Sequence, residues 1–176
     1  MDIVIGCEKS GVIREAFRKR GHNAISVDLE PTELPGPHEQ VDIFIFLQKN
    51  PKWDMAIFHP ECKYLCFSGE KWRTIGNKDY KQGHFRKRLK ALAFFKRLWN
   101  QKDIPSIVIE NSHSTFINRY FKPSDQIVQP YQFGDPYRKQ THLWLKNTPP
   151  PNLYVYMREK GGRVLFRATR TEAECQ

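Results

Sequence analysis

Ile3-Val4-Ile5-Gly6-Cys7-Glu8-Lys9-Ser10-Gly11-Val12-Ile13-Arg14-Glu15-Ala16-Phe17-Arg18-Lys19-Arg20-Gly21 decides the fold class. Ile3 to Gly6 is a short apolar run rich in β-branched side chains, the composition of a buried strand. Val12, Ile13, Ala16 and Phe17 then recur at the spacing of one helical face, and Gly21 is placed to end that helix. The stretch therefore reads as strand, tight loop, helix. Ala24 to Val27 adds a second strand that ends in Asp28, and a β-α-β unit of this kind predicts an open, mostly parallel α/β sheet.

Outward from this unit, Leu29 to Gln40 holds Pro31, Pro35, Gly36 and Pro37 and reads as a loop. Two apolar runs follow: Val41 to Leu47, with Asp42 near its start, and Met55 to Phe58, which leads into His59-Pro60-Glu61-Cys62. The spacing of Phe85, Leu89, Leu92, Phe95 and Trp99 predicts a helix from about Tyr80 to Asn100 with these side chains near one face; Phe94 and Leu98 fall off it. Ser106 to Ile109 reads as a strand that delivers Glu110-Asn111. Ile127–Phe133, His142–Lys146, Leu153–Met157 and Arg163–Phe166, separated by Gly and Pro, predict a β-rich part over 127–170. One domain over 1–176 is expected, because 176 residues at 39% hydrophobic and 13% aromatic suffice for a single core and not for two.

The net charge of +10 is concentrated. Between Lys71 and Lys102 stand eleven basic residues and one acidic, Asp79, so this segment alone accounts for the whole excess. A polyanionic partner, nucleic acid, is the natural expectation, with a solvated helix face as the alternative. Lys71, Arg73, Arg86, Lys87, Arg88 and Lys90 are the expected contacts, with Arg138 and Lys139 further along. No apolar run reaches the roughly 20 residues of a membrane span, and the N-terminus lacks a signal-peptide pattern, so a cytoplasmic protein without a membrane partner is expected. The four cysteines, Cys7, Cys62, Cys66 and Cys175, are irregularly spaced, which points away from a disulfide framework and toward buried thiols, metal ligands or a nucleophile.

In open α/β sheets ligands bind beyond the C-terminal ends of the strands, where Gly11, Asp28, Cys62 and Glu110 would all lie. Gly11 would let the Glu8 to Gly11 loop approach a ligand beside a helix N-terminus, and Asp28 could accept hydrogen bonds from ribose hydroxyls. Cys62, in a loop at a strand end, is a candidate nucleophile, with a buried inert thiol as the bland reading. His59, Cys62 and Cys66, completed by His84 or His113, have the spacing of a zinc site as a further alternative. Glu110 could hold or protonate a ring nitrogen while a thiolate adds to the ring.

The order of these blocks resembles the DNA cytosine-C5 methyltransferase family, and more closely its short phage and prophage-type members. The resembling stretches are Cys7 to Phe17 with Gly21-His22; Val27-Asp28-Leu29; Trp53-Asp54 through His59-Pro60-Glu61-Cys62-Lys63-Tyr64-Leu65 with Ser68-Gly69; Ile109-Glu110-Asn111; and Gln129 to Gly134 with Lys139 to Leu145. The resemblance implies a Rossmann-like methyltransferase fold that binds S-adenosylmethionine through Cys7, Glu8, Ser10, Gly11, Asp28, Leu29, Asp42, His59 and Pro60. The Glu8 to Gly11 loop would wrap the methionine part, Asp28 would bind the ribose and Asp42 would approach the adenine. It also implies that Cys62 adds to carbon 6 of cytosine in DNA, that Glu110 holds ring nitrogen 3 and the exocyclic amine, and that Asn111 braces the Cys62 loop; no metal is implied.

The sequence departs from that family at Glu61, where a second proline is usual, and in a glycine-rich motif reduced to Gly11. Only about thirty residues follow Lys146. The family's target-recognition domain therefore has no counterpart, and little intrinsic sequence selectivity is expected. A homodimer or an accessory partner would be ways to supply recognition. The competing readings are a nucleic-acid-binding protein that keeps the fold without turnover, and an enzyme that modifies a free pyrimidine nucleotide.

Overall fold

The computed structural model describes residues 1–66, 78–133 and 136–150, together with the backbone of two strands at 155–159 and 162–166; side chains at 78–81 are outside the description. Lys71, Arg73, Cys175 and the Ser68-Gly69 and Gly134 portions of the blocks quoted above lie outside these residues.

The opening stretch folds as its pattern predicts. β1 (Asp2–Gly6) runs into α1 (Val12–Arg18), which leads to β2 (Asn23–Asp28). Gly21, at φ 81°, turns the chain out of the helix while the His22 N–H donates to the Phe17 carbonyl. The remaining elements are β3 (His38–Gln40), α2 (Ile43–Lys49), β4 (Met55–Phe58), α3 (Lys78–Trp99), β5 (Ser106–Ser112), α4 (Thr115–Tyr120), β6 (Gln126–Val128), β7 (Thr141–Lys146), β8 (Val155–Glu159) and β9 (Gly162–Phe166). Seven strands form one sheet in the order β3-β2-β1-β4-β5-β7-β6, while β8 and β9 pair as a separate hairpin. From β3 to β5 all neighbours are parallel; β7 is antiparallel to both β5 and β6. The order 3-2-1-4-5 reverses direction between β1 and β4, which opens a crevice there at the C-terminal ends of the strands.

The two faces of the sheet are unequally covered. Val4, Val27, Ala56, Phe58, Ile107, Ile109 and Trp144 join the buried side chains of α2, α3 and α4 in the larger core. On the other face Ile3, Ile5, Ala24 and Ile57 pack against Ile13 and Phe17 of α1. This alternation along each strand is the period-two pattern of a sheet buried on both sides.

Several expectations are corrected. The run Val41 to Leu47 is mostly helix: Asp42 caps α2, its Oδ1 accepting the N–H groups of Phe44 (2.9 Å) and Ile45 (3.2 Å), and Ile43, Phe44, Phe46 and Leu47 turn inward. The Pro-rich loop contains the short edge strand β3. Ile127 to Phe133 divides into β6 and a 3-10 turn at Pro130–Phe133. On α3 the buried face consists of Arg88, Leu92, Phe95 and Leu98, whereas Phe85 and Leu89 are 47% and 45% exposed. Arg88 is thus not available for phosphate contact: it is 2% exposed, and its guanidinium lies 4.1 Å from the ring centroid of Phe116. Among the described residues no helix is long and apolar enough to cross a membrane.

Candidate functional site

A cavity of about 490 Å³ occupies the crevice at the β1/β4 reversal, within the size range of small-molecule and cofactor sites. Its floor is built by the ends of β1 and β2, its sides by the start of α2 and by Ala91 and Phe94 of α3, and its rim by His59, Pro60 and Glu61. Among the described residues, the charged ones in its wall are Asp28, Glu30, Asp42 and Glu61, with no lysine or arginine. A second hollow of about 440 Å³ lies at the opposite, N-terminal edge of the sheet, around Asp2, Asn23 and Trp53, away from every expected catalytic or cofactor-binding residue.

β1 ends in Gly6 because a Cβ there would stand 2.7 Å from Phe58 and 2.8 Å from Ile43. Cys7 follows at φ 59°, its N–H bonded to the Val27 carbonyl at 2.8 Å. Burial first, and then the carboxylates of Asp28 and Asp42, push its thiol pKa up to about 12, so Cys7 is a neutral pocket wall. Glu8 is 6% exposed; one carboxylate oxygen accepts from Ser10 Oγ, and the other, Oε2, is buried without a partner. An orphaned buried carboxylate oxygen is costly unless a donor arrives, which makes the loop fit for a cationic or N–H bearing ligand group.

Gly11 is also required by the packing of the loop itself. At φ 74° it begins α1, and a Cβ there would lie 2.6 Å from Arg14 Nη2 and 3.0 Å from Leu34 Cβ, so its small size is required by internal packing. Arg14, fully buried, donates to Ser26 Oγ (2.9 Å), Thr32 Oγ1 (3.2 Å) and the carbonyls of Leu34 (2.7 Å) and Pro35 (3.1 Å). Lys9 bridges Glu30 at 2.7 Å, and the Glu33 N–H donates to the Lys9 carbonyl. Together these bonds pin the Leu29–Pro37 loop beside the pocket. Asp28 ends β2 with Oδ1 accepting the Glu30 N–H at 3.0 Å, and Leu29 next to it is 70% exposed.

The loop carrying Cys62 is tied to β5. Phe58 stands opposite Ile109 in the β4/β5 register, so the next residues, His59 and Glu110, face each other: His59 Nδ1 lies 3.3 Å from Glu110 Oε2. Asn111, 1% exposed, donates from Nδ2 to the Pro60 carbonyl at 2.9 Å. Cys62 itself is exposed and opens a single helical turn, its carbonyl accepting from the N–H groups of Leu65 and Cys66, with fully buried Leu65 as the anchor. His59, Pro60, Cys62, Glu110 and Asn111 are therefore one assembly at the lip of the cavity.

Other residues stand apart from it. Arg86, Lys87 and Lys90 are exposed on α3, and Arg138 and Lys139 are exposed before β7. Among the described residues no three His, Cys, Asp or Glu side chains gather for a metal. Two features went unread in the sequence. One is the His59–Glu110 pair, which requires knowing that β4 and β5 are neighbours. The other is His142, 3% exposed, which bonds Ser124 Oγ at 2.8 Å, stacks on His113 at 5.1 Å, and has its pKa lowered by burial first and by His113 second.

No family model and no curated protein matches this sequence. Among solved structures, a candidate DNA modification methyltransferase encoded within an Escherichia coli prophage superposes with a TM-score of 0.51 at 16% identity, covering 82% of this chain and 46% of that one. This chain thus spans less than half of that protein's length, and the likeness at this identity is one of fold: the mixed α/β sheet described above is shared with it.

Proposed function

We propose that the chain is a methyltransferase that binds S-adenosylmethionine in the β1/β4 crevice and acts on carbon 5 of cytosine in DNA through Cys62. The observation that carries the reading is the sign of the pocket. In a protein of net charge +10, the described residues that line this cavity include four carboxylates and, among them, neither lysine nor arginine. Such a wall disfavours the phosphates of a dinucleotide and favours a ligand bearing a sulfonium and an ammonium group. Glu8 Oε2, buried and unpaired, would accept from the ammonium beside Ser10 and Gly11. Asp28, with Leu29 beside it, would receive the ribose hydroxyls. Asp42 contributes a carboxylate wall while its Oδ1 caps α2; Cys7, His59 and Pro60 complete the enclosure.

Bound there, the cofactor would supply the methyl group. The chain's own residues perform the rest. Cys62 Sγ bonds to carbon 6 of the base, which makes carbon 5 nucleophilic, and Glu110 donates a hydrogen bond to ring nitrogen 3 as negative charge develops. His59, 3.3 Å from Glu110, orients that carboxyl group. Asn111 keeps the Pro60 carbonyl, and with it the Cys62 turn, in register. After methyl transfer, loss of the carbon 5 proton to solvent and departure of Cys62 as a thiolate restore the ring.

The test is incubation with labelled S-adenosylmethionine and DNA containing 5-fluorocytosine, in which fluorine replaces the carbon 5 hydrogen, so that elimination is blocked and the adduct is trapped. A covalent complex that Cys62→Ala abolishes is the expected result. DNA binding with neither adduct nor label transfer would replace this reading with that of a binding protein without turnover. Label transfer to a free pyrimidine nucleotide in preference to the polymer would replace it with nucleotide modification.

A further inference from the structure

We propose that the surface where the N-terminal half of α3 meets α4 and the Cys62 turn is a stacking platform for an unpaired polynucleotide strand. This deepens the functional reading above by naming the form of its substrate, a single strand rather than a duplex. The first observation is the misplaced apolar surface of α3 and α4. Phe85, Leu89 and Tyr120 are 47%, 45% and 45% exposed. They belong to a connected band of rings: Phe85 stands edge-on to Phe116 at 6.2 Å, and Phe116 meets Tyr120 at 4.6 Å. On the other flank of α3, Tyr64 meets His84 at 5.9 Å. Tyr64 is two residues beyond Cys62 in the same turn, so this second ring pair stands beside the candidate nucleophile.

The second observation is the charge around the rings. Lys63 and Lys87 each stand 5.7 Å from the Tyr64 centroid, Arg119 stands 5.6 Å from that of Tyr120, and Arg86 and Lys90 are exposed on α3. Neither α3 from Gln82 to Trp99 nor α4 contains an aspartate or glutamate. Exposed rings interleaved with these cations match a strand that offers base faces and phosphates together. A duplex stacks its bases on one another and would present only phosphates here, leaving the apolar rings in water. Stacking is also tolerant of sequence, since every base has a π-face.

The experiment is fluorescence anisotropy on the full chain with one labelled mixed sequence, offered as single-stranded DNA, as single-stranded RNA and as duplex DNA, alongside vesicles of anionic phospholipid. The single strands are expected to bind tighter than the duplex. Phe85→Ala and Tyr120→Ala, both at exposed positions, are each expected to weaken single-strand binding about fivefold or more, the low end for one stacked base, while duplex binding and the melting temperature stay unchanged. Lys87→Ala should weaken both forms and flatten the salt dependence. Equal binding of duplex and strand with silent aromatic variants, or binding to vesicles alone, would overturn the platform. A strand bound as expected but never trapped by 5-fluorocytosine would keep the platform and refute the methyltransferase chemistry; an adduct formed on duplex with silent aromatic variants would do the reverse.

Discussion

Arg14 offers the sharpest test of the pocket architecture. Its side chain has no exposed surface, and its guanidinium satisfies the Leu34 and Pro35 carbonyls and the Ser26 and Thr32 hydroxyls. Arg14→Ala leaves two carbonyls without this donor, each worth about 1–3 kcal/mol when buried and unpaired, so the expected loss is roughly 2–6 kcal/mol. The bond to Glu15 at 2.9 Å adds little, because that carboxylate is partly in water. At roughly 2–4 °C per kcal/mol for a chain of this size, the melting temperature should fall by roughly 5–20 °C. Arg14→Lys keeps the charge but replaces the planar fork with one ammonium, so it should recover less than half of the loss. Circular dichroism melts measure both variants, and hydrogen exchange should place the early opening in the Leu29–Pro37 loop. A melting temperature within about 2 °C of the parent for Arg14→Ala would mean that the loop is held by something other than this arginine.

Cys7, with its thiol pushed up to about 12, should resist iodoacetamide at pH 8 in the folded protein while exposed Cys62 is alkylated, as read by peptide mass spectrometry. The same shift has a linkage consequence: the unfolded thiol ionises near its ordinary 9.0 while the folded one stays neutral, so stability present below about pH 9 declines as pH rises toward about 12. His142 has the opposite sign: its folded pKa lies below the ordinary 6.5, so its contribution is present above that pH and is lost as pH falls through the folded value. An NMR titration of the ring should show its midpoint below 6.5. Asn111→Ala removes the donor to the buried Pro60 carbonyl and should cost about 1–3 kcal/mol in urea unfolding; a change under about 0.5 kcal/mol would mean that water replaces the amide.

What was legible in the sequence was local and punctuated. β1, α1 and β2 could be read because Gly11 and Gly21 mark the ends of a helix whose apolar spacing is clear. α2 could not, because its seven residues are too few and too apolar to separate helix from strand by period alone; the cap at Asp42 was the available signal. The face of α3 differs from the apolar spacing because the buried stripe runs through Arg88, Leu92, Phe95 and Leu98, which leaves Leu89, one residue round the helix from Arg88, and Phe85 turned outward. Arg88 was counted with Arg86 and Lys87 as a surface cation, although it stands four residues before Leu92 on the buried face. The His59–Glu110 contact joins residues 51 positions apart and follows from β4/β5 adjacency, a tertiary fact that no window of sequence contains.

The position of β7 dictates the order in which the far half of the sheet can be assembled. β6 precedes β7 in the chain, yet in the sheet it touches β7 and not β5. During synthesis β6 must therefore wait, unpaired, until Thr141 to Lys146 has emerged and slotted between the two. Until then the edge of β5 that carries Glu110 and Asn111 lies open, and the place of Trp144, fully buried at completion, is empty. The far half of the sheet is thus complete only when β7 pairs with β5 on one side and β6 on the other, and that pairing also closes the strand beneath the candidate catalytic carboxylate.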